Sequence, residues 1–143
     1  MKNINSSLKF FLELARAQAL ITRKFDCRLG GGLSFTDFQV LYYLSQAPGQ
    51  KMRRIDLAEK LMLSASGVTR LLPPMEKIGL VKREASDHDA RVSYVQLAPG
   101  GRLLLSERIG DAERLAAEMM PETKSKSGHD AHDLFAMFKL SYF

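Results

Sequence analysis

Residues 63–84, LSASGVTRLLPPMEKIGLVKRE, decide how the rest of the chain is read. Ser64 fits an N-cap, and apolar residues then recur at helical spacing. Pro73 and Pro74 interrupt this pattern, because neither can donate the backbone hydrogen bond that Thr69 or Arg70 would accept. An interior proline costs a helix about 3 kcal/mol. The small and polar residues Ser66, Gly67, Thr69 and Arg70 all precede the prolines. The expectation is therefore a helix kinked after Leu72, its first half intact and MEKIGLV turned back onto the core.

Upstream, RRIDLAEKLML reads as a short helix with Ile55, Leu57, Ala58, Leu61 and Met62 at core spacing. KMR at 51–53 is short and fits a strand. Ser34 or Thr36 caps TDFQVLYYLSQ, which stops around Pro48 and Gly49. From Ser6 to about Leu29 two apolar stripes run along one helix: Leu8, Phe11, Leu12, Ala15 and Ala19, and Phe10, Leu14, Ala17, Ile21 and Phe25. Such a helix has more surface to bury than one small core covers, so it is read as shared with a second subunit; a central core helix is the alternative. Gly30 to Gly32 end it.

Downstream of Gly79 the periodicity changes to alternation. LVKRE and RVSYVQL read as two strands joined by the polar loop ASDHDA. A long helix follows from about Pro99 to Met120, with proline near its start where a missing donor is harmless. A polar break, PETKSKSGHD, precedes a final short helix carrying Leu134, Phe135 and Phe138. The class is mostly α with a small β-hairpin (α+β).

The 143 residues are 45% apolar and 26% charged, ordinary for a folded domain. Residues 51–102 carry ten Lys/Arg against six Asp/Glu, while residues 103–143 carry five against seven. Positive charge in the middle of the chain suits a polyanionic partner. No apolar run reaches the roughly 18 residues of a membrane span, and the basic N-terminus lacks a cleavage site, so the expected location is cytoplasmic. Cys27, the single cysteine, can form neither an internal disulfide nor a multi-cysteine zinc site.

Helix, short turn, helix and hairpin is the order of a winged helix-turn-helix, whose second helix enters the major groove N-terminus first. The stretches DLAEKL, LSASGVTRL, EKIGLV and DHDARVSYVQLAPGG together resemble the multiple-antibiotic-resistance regulator (MarR) family of transcription factors, over nearly the whole chain. The resemblance implies that Ser64, Ser66, Thr69 and Arg70 face DNA, that Asp89 orients the wing, and that Arg91 enters the minor groove. It also implies a homodimer held by the first and last helices. Residues 1–33 would form an N-terminal dimerisation helix, 34–98 the DNA-binding lobe, and 99–143 the C-terminal dimerisation helices, in one intertwined domain. Leu8, Leu12, Leu115, Leu134, Phe135 and Phe138 are the expected dimer contacts. Two departures from the family pattern stand out: Ala90 where a second wing arginine is common, and Ala98 in place of a threonine cap.

Arg70 has the fork that suits guanine. Arg53, Arg54, Lys77 and Lys82 suit phosphate, with a merely solvated charge as the alternative for each; Gly67 and His88 complete the expected interface. For Arg91 an ion pair with Asp89 is the alternative, and both can hold. The expected partners are double-stranded DNA with an inverted repeat, a second copy of the chain, and a small aromatic effector. The family places such an effector near the dimer helices, where Phe10, Phe11, Phe25, Tyr42 and Tyr43 are candidate lining residues, equally explained as core. The expected function is repression relieved by that effector. No cofactor is expected, and no nucleophile motif or phosphate-binding glycine loop points to catalysis.

Three other readings use residues outside this scheme. His129 and His132, three apart, would hold a metal, against a plain polar helix start. Cys27 would sense peroxide, but Phe35 and Phe38 stand where peroxide sensors of this family carry tyrosines, and an inert, half-buried thiol is the expectation. A winged helix that binds protein instead of DNA is the third.

Overall fold

In the computed structural model, which describes residues 3–120, the helices that begin at Ser6, Phe35 and Ala65 each start where a side chain satisfies a free amide donor. Asn5 accepts from Leu8 N at 2.8 Å and opens α1, Ser6–Leu29. Ser34 accepts from Asp37 N at 3.0 Å while Asp37 accepts from Ser34 N at 3.1 Å, a reciprocal capping box at the head of α2, Phe35–Gln46. Asp26 of α1 adds a third acceptor there, taking Phe35 N at 2.7 Å. A short turn at Pro48–Gln50 leads into β1, Lys51–Arg53, and then α3, Arg54–Leu61. Ser64 accepts from Gly67 N at 3.1 Å and caps α4, Ala65–Lys77. Strands β2, Val81–Ala85, and β3, Ser93–Leu97, precede α5, Pro99–Met119. As expected from Ala98, no side chain caps α5.

The three strands form one antiparallel sheet in the order β1-β3-β2, with Met52 opposite Val95 and Arg83 opposite Val95 from the other side. The main core lies beneath it. Val40, Leu41 and Leu44 of α2 meet Leu57 of α3, Val68, Leu72 and Met75 of α4, and Val95 and Leu97 of β3. A second, smaller cluster joins Phe25 and Leu29 at the end of α1 to Ala112 and Leu115 of α5. Arg28 and Glu118 pair at 2.9 Å beside it, and the Arg28 hydrogen bond holds the Glu118 carboxyl below its ordinary value.

Both prolines sit inside α4, which is one uninterrupted helix with no break at Leu72. Pro73 and Pro74 are exposed, as are Thr69 and Arg70, so the two carbonyls deprived of a donor lie on the side open to water. Met75, Leu80 and Val81 beyond them return to the core. The prolines thus cost α4 two hydrogen bonds on its wet face and none on its packed one. Pro73→Ala is expected to raise the urea unfolding free energy by about 1 to 2 kcal/mol, less than the full interior penalty because proline also restricts the unfolded chain. An unchanged or lower midpoint would show that unfolded-state restriction outweighs the lost bonds.

Several sequence expectations need correction. Ile55 is 68% exposed and Met62 54%, so neither belongs to the core; α3 is only 8 residues long, and Met62 closes it in the left-handed conformation with its side chain outside. Cys27 is exposed, not half-buried, because α1 turns Phe25 and Leu29 inward instead. Leu115 is 5% exposed against Phe25 and Leu29 of its own chain, which removes it from the surface available to a second subunit. Leu134, Phe135, Phe138, His129 and His132 lie outside the described residues.

Candidate DNA-binding interface

The N-terminal turns of α4 and the wing border one cleft. Ser64, Ala65, Val68 and Thr69 form one wall, α3 with Arg54, Ile55 and Ala58 another, and Arg91, Val92 and Ser93 close it from the wing. The helix pair is tight because Leu57 and Val68 are buried together, at 0% and 1% exposure. Their packing turns the opposite faces, with Ser66, Thr69 and Arg70, to solvent.

The wing is set by short polar side chains. Asp89 Oδ1 accepts from Arg91 N at 2.9 Å, and Ser86 Oγ accepts from His88 N at 3.2 Å and Asp89 N at 3.4 Å. Asp89 therefore fixes the backbone of Arg91 and not its guanidinium. Among the described residues, the Arg91 and Arg70 side chains have no hydrogen bond or ion pair, which leaves both forks open to a ligand.

The other expected contacts separate into engaged and distant groups. Arg53 is held by Asp56 through bonds of 2.8 and 3.1 Å, and this guanidinium holds the Asp56 carboxyl below the usual carboxylate range. Arg54 donates from Nη2 to Thr69 Oγ1 at 3.1 Å. Lys77 ends α4, roughly 20 Å along the helix axis from Ser64, and Lys82 follows in β2. Neither borders the cleft. Sequence reasoning missed Ile55 and Leu63 as cleft-lining apolar residues, exposed at 68% and 38%. Ile55 has the helical spacing of a core residue, and only the packing of α3 shows that it points away; Leu63 lies in the turn between α3 and α4, where helical spacing gives no signal.

The five aromatic candidates for an effector pocket do not meet within the chain. Phe25 is buried and stacks on Phe35 with ring centroids 4.1 Å apart, while Phe10 and Phe11 lie on α1 roughly 21 Å further along its axis. Tyr42 and Tyr43 line a separate groove with Tyr94, Lys51 and Met52, where Lys51 Nζ lies 5.2 Å from the Tyr94 ring centre.

Two packed helices followed by a β-wing, with open arginines at the second helix and at the wing tip, define a winged helix-turn-helix. Residues 31–92 match the family model described as MarR family. Over 115 residues the chain is 30% identical to the HTH-type transcriptional regulator MhqR of Bacillus subtilis (strain 168), covering 80% of this chain and 78% of the relative. It is similar in fold to the transcriptional regulator BldR from Sulfolobus solfataricus, with a TM-score of 0.77 at 25% identity over 98% of this chain and 97% of that one. The M. tuberculosis transcriptional regulator MOSR, solved in complex with DNA, matches with a TM-score of 0.71 at 24% identity over 90% of each chain. The chain belongs to the MarR family of winged-helix, DNA-binding transcriptional regulators.

Proposed function

We propose that the protein is a homodimeric repressor in the cytoplasm that binds an inverted-repeat operator, α4 entering the major groove and Arg91 the adjacent minor groove. The observation that carries this reading is the shared cleft: the first turns of α4 and Arg91 of the wing border the same opening, with Arg70 exposed on the helix beside it. Phosphate contacts from the wing then hold the register in which the α4 side chains meet base edges.

The dimer is supported by α1. Along its first two thirds Leu8, Leu12 and Leu20 are 47%, 55% and 51% exposed. That much apolar helix surface in water favours pairing with a second copy. An inverted repeat follows from the two-fold axis, with half-sites about one turn of DNA apart, roughly 34 Å. A small aromatic effector that binds one lobe spacing better than another would shift affinity for the operator. The groove at Tyr42, Tyr43 and Tyr94 supports an aromatic ligand more directly than the scattered phenylalanines do.

Selection of duplexes from a random library by the purified protein tests the reading. Enrichment of a palindrome, bound by a dimer in sedimentation and weakened steeply by salt, is the expected result. Binding without sequence preference, or by a monomer, would overturn it.

A further inference from the structure

Thr69 lies on the second turn of α4, exposed, and its hydroxyl is already engaged on two sides. Oγ1 donates to the Ala65 carbonyl at 2.9 Å and accepts from Arg54 Nη2 at 3.1 Å. A hydroxyl has one proton and two lone pairs. The proton is committed, so Thr69 cannot donate to guanine O6 or N7, adenine N7 or thymine O4. One lone pair is left, and the cationic guanidinium beside it disfavours the amino groups of adenine and cytosine, which carry partial charge of the same sign. What Thr69 has to offer a base is its methyl group. Thymine alone presents an apolar group on the major-groove edge.

We propose that Thr69 reads a thymine in each half-site through methyl-to-methyl contact, and that Arg54 is the positioning residue that keeps its hydroxyl occupied. This rests on the role of α4 proposed above. The apolar surface continues around Thr69, because Ile55, Ala58, Leu63 and Val68 line the same cleft.

The test uses the duplex enriched from the random library, with each thymine replaced in turn by deoxyuridine, which lacks only the methyl. Fluorescence anisotropy should find one thymine per half-site whose replacement weakens wild-type binding about fourfold, the worth of one buried methyl. Thr69→Ser, which keeps the hydroxyl, should lose about the same factor on the thymine duplex and no longer distinguish the two bases. Thr69→Val, which keeps the methyl, should retain both affinity and discrimination. Arg54→Ala should narrow the thymine-to-uracil ratio at that position, whereas loss of a phosphate contact alone would weaken both duplexes equally and leave the ratio unchanged. A tight, sequence-specific wild type with no such thymine, or a Thr69→Val that fails where Thr69→Ser binds, overturns the inference while leaving α4 as the reading helix. A selection that enriches no duplex overturns both.

Discussion

Gly101→Ala should unfold at a temperature roughly 10 °C lower than the wild type, a loss of about 3 kcal/mol. Gly110→Ala, nine residues further along α5, should instead raise it. At Gly101 an added Cβ would lie 2.1 Å from the Leu80 carbonyl oxygen, 2.8 Å from Leu97 Cδ1 and 3.1 Å from Leu41 Cδ2. That oxygen cannot step aside easily, because it also accepts from Ala98 N at 3.0 Å. Relief requires moving the start of α5 away from the sheet, and with it the wing. At Gly110 the same methyl would meet only the end of the Arg114 side chain at 3.7 Å, ordinary contact at a flexible tip. There alanine gains about 0.5 to 1 kcal/mol from helix propensity alone. Thermal unfolding followed by circular dichroism separates the two; equal shifts would mean that propensity, not the approach of α5 to Leu80, governs both.

Arg70→Ala and Arg91→Ala should both weaken operator binding, by different routes. Arg70 stands in the second turn of α4 with a guanidinium that has no partner among the described residues, suited to two parallel bonds to guanine. Its removal is expected to cost about 1 to 3 kcal/mol per half-site on the selected duplex and much less on random DNA, so specificity collapses. Arg91 is placed on the wing by the Asp89 side chain, and under the proposed function it contacts the backbone or minor groove. Its loss should weaken selected and random duplexes alike and make the dependence on salt shallower. Arg53→Ala should do this least, since that guanidinium is already paired with Asp56 at 2.8 Å. Anisotropy over a salt series with both duplexes gives all three slopes. If Arg70→Ala weakened random DNA as much as the operator, its part in base reading would be refuted.

The frame of this molecule was legible in the sequence wherever one residue acts on its own neighbours. Ser34 and Ser64 cap helices by bonding to amides three residues ahead, and Gly30 to Gly32 adopt the positive φ angles that stop α1. The alternation after Gly79 became the two wing strands, and KMR became β1. Relations between elements were not legible. Ile55 has core spacing, yet α3 is too short to turn every apolar residue inward. Leu115 and Leu12 look alike as helix leucines; only the place where α1 crosses α5 makes one buried and leaves the other exposed. The site shows the same division. The bond from the Arg91 amide to Asp89 spans two residues, within reach of a local reading, whereas the bond from Arg54 to Thr69 spans fifteen and depends on how α3 and α4 cross. The prolines were read as a kink after Leu72, because the sequence does not show that the carbonyls they leave without a donor lie on the wet face of a continuous α4.

In the proposed complex the first two turns of α4 enter the major groove at each half of an inverted repeat. Methylation interference at guanine N7 tests it most directly, since that atom lies in the major groove where the Arg70 fork would bind. On the selected duplex, methylation of one guanine in each half-site should block wild-type binding, symmetrically about the palindrome centre, and Arg70→Ala should be insensitive to it. Blocking at the same guanines in Arg70→Ala, or none in either half-site, would show that α4 does not read guanine through Arg70 in the major groove.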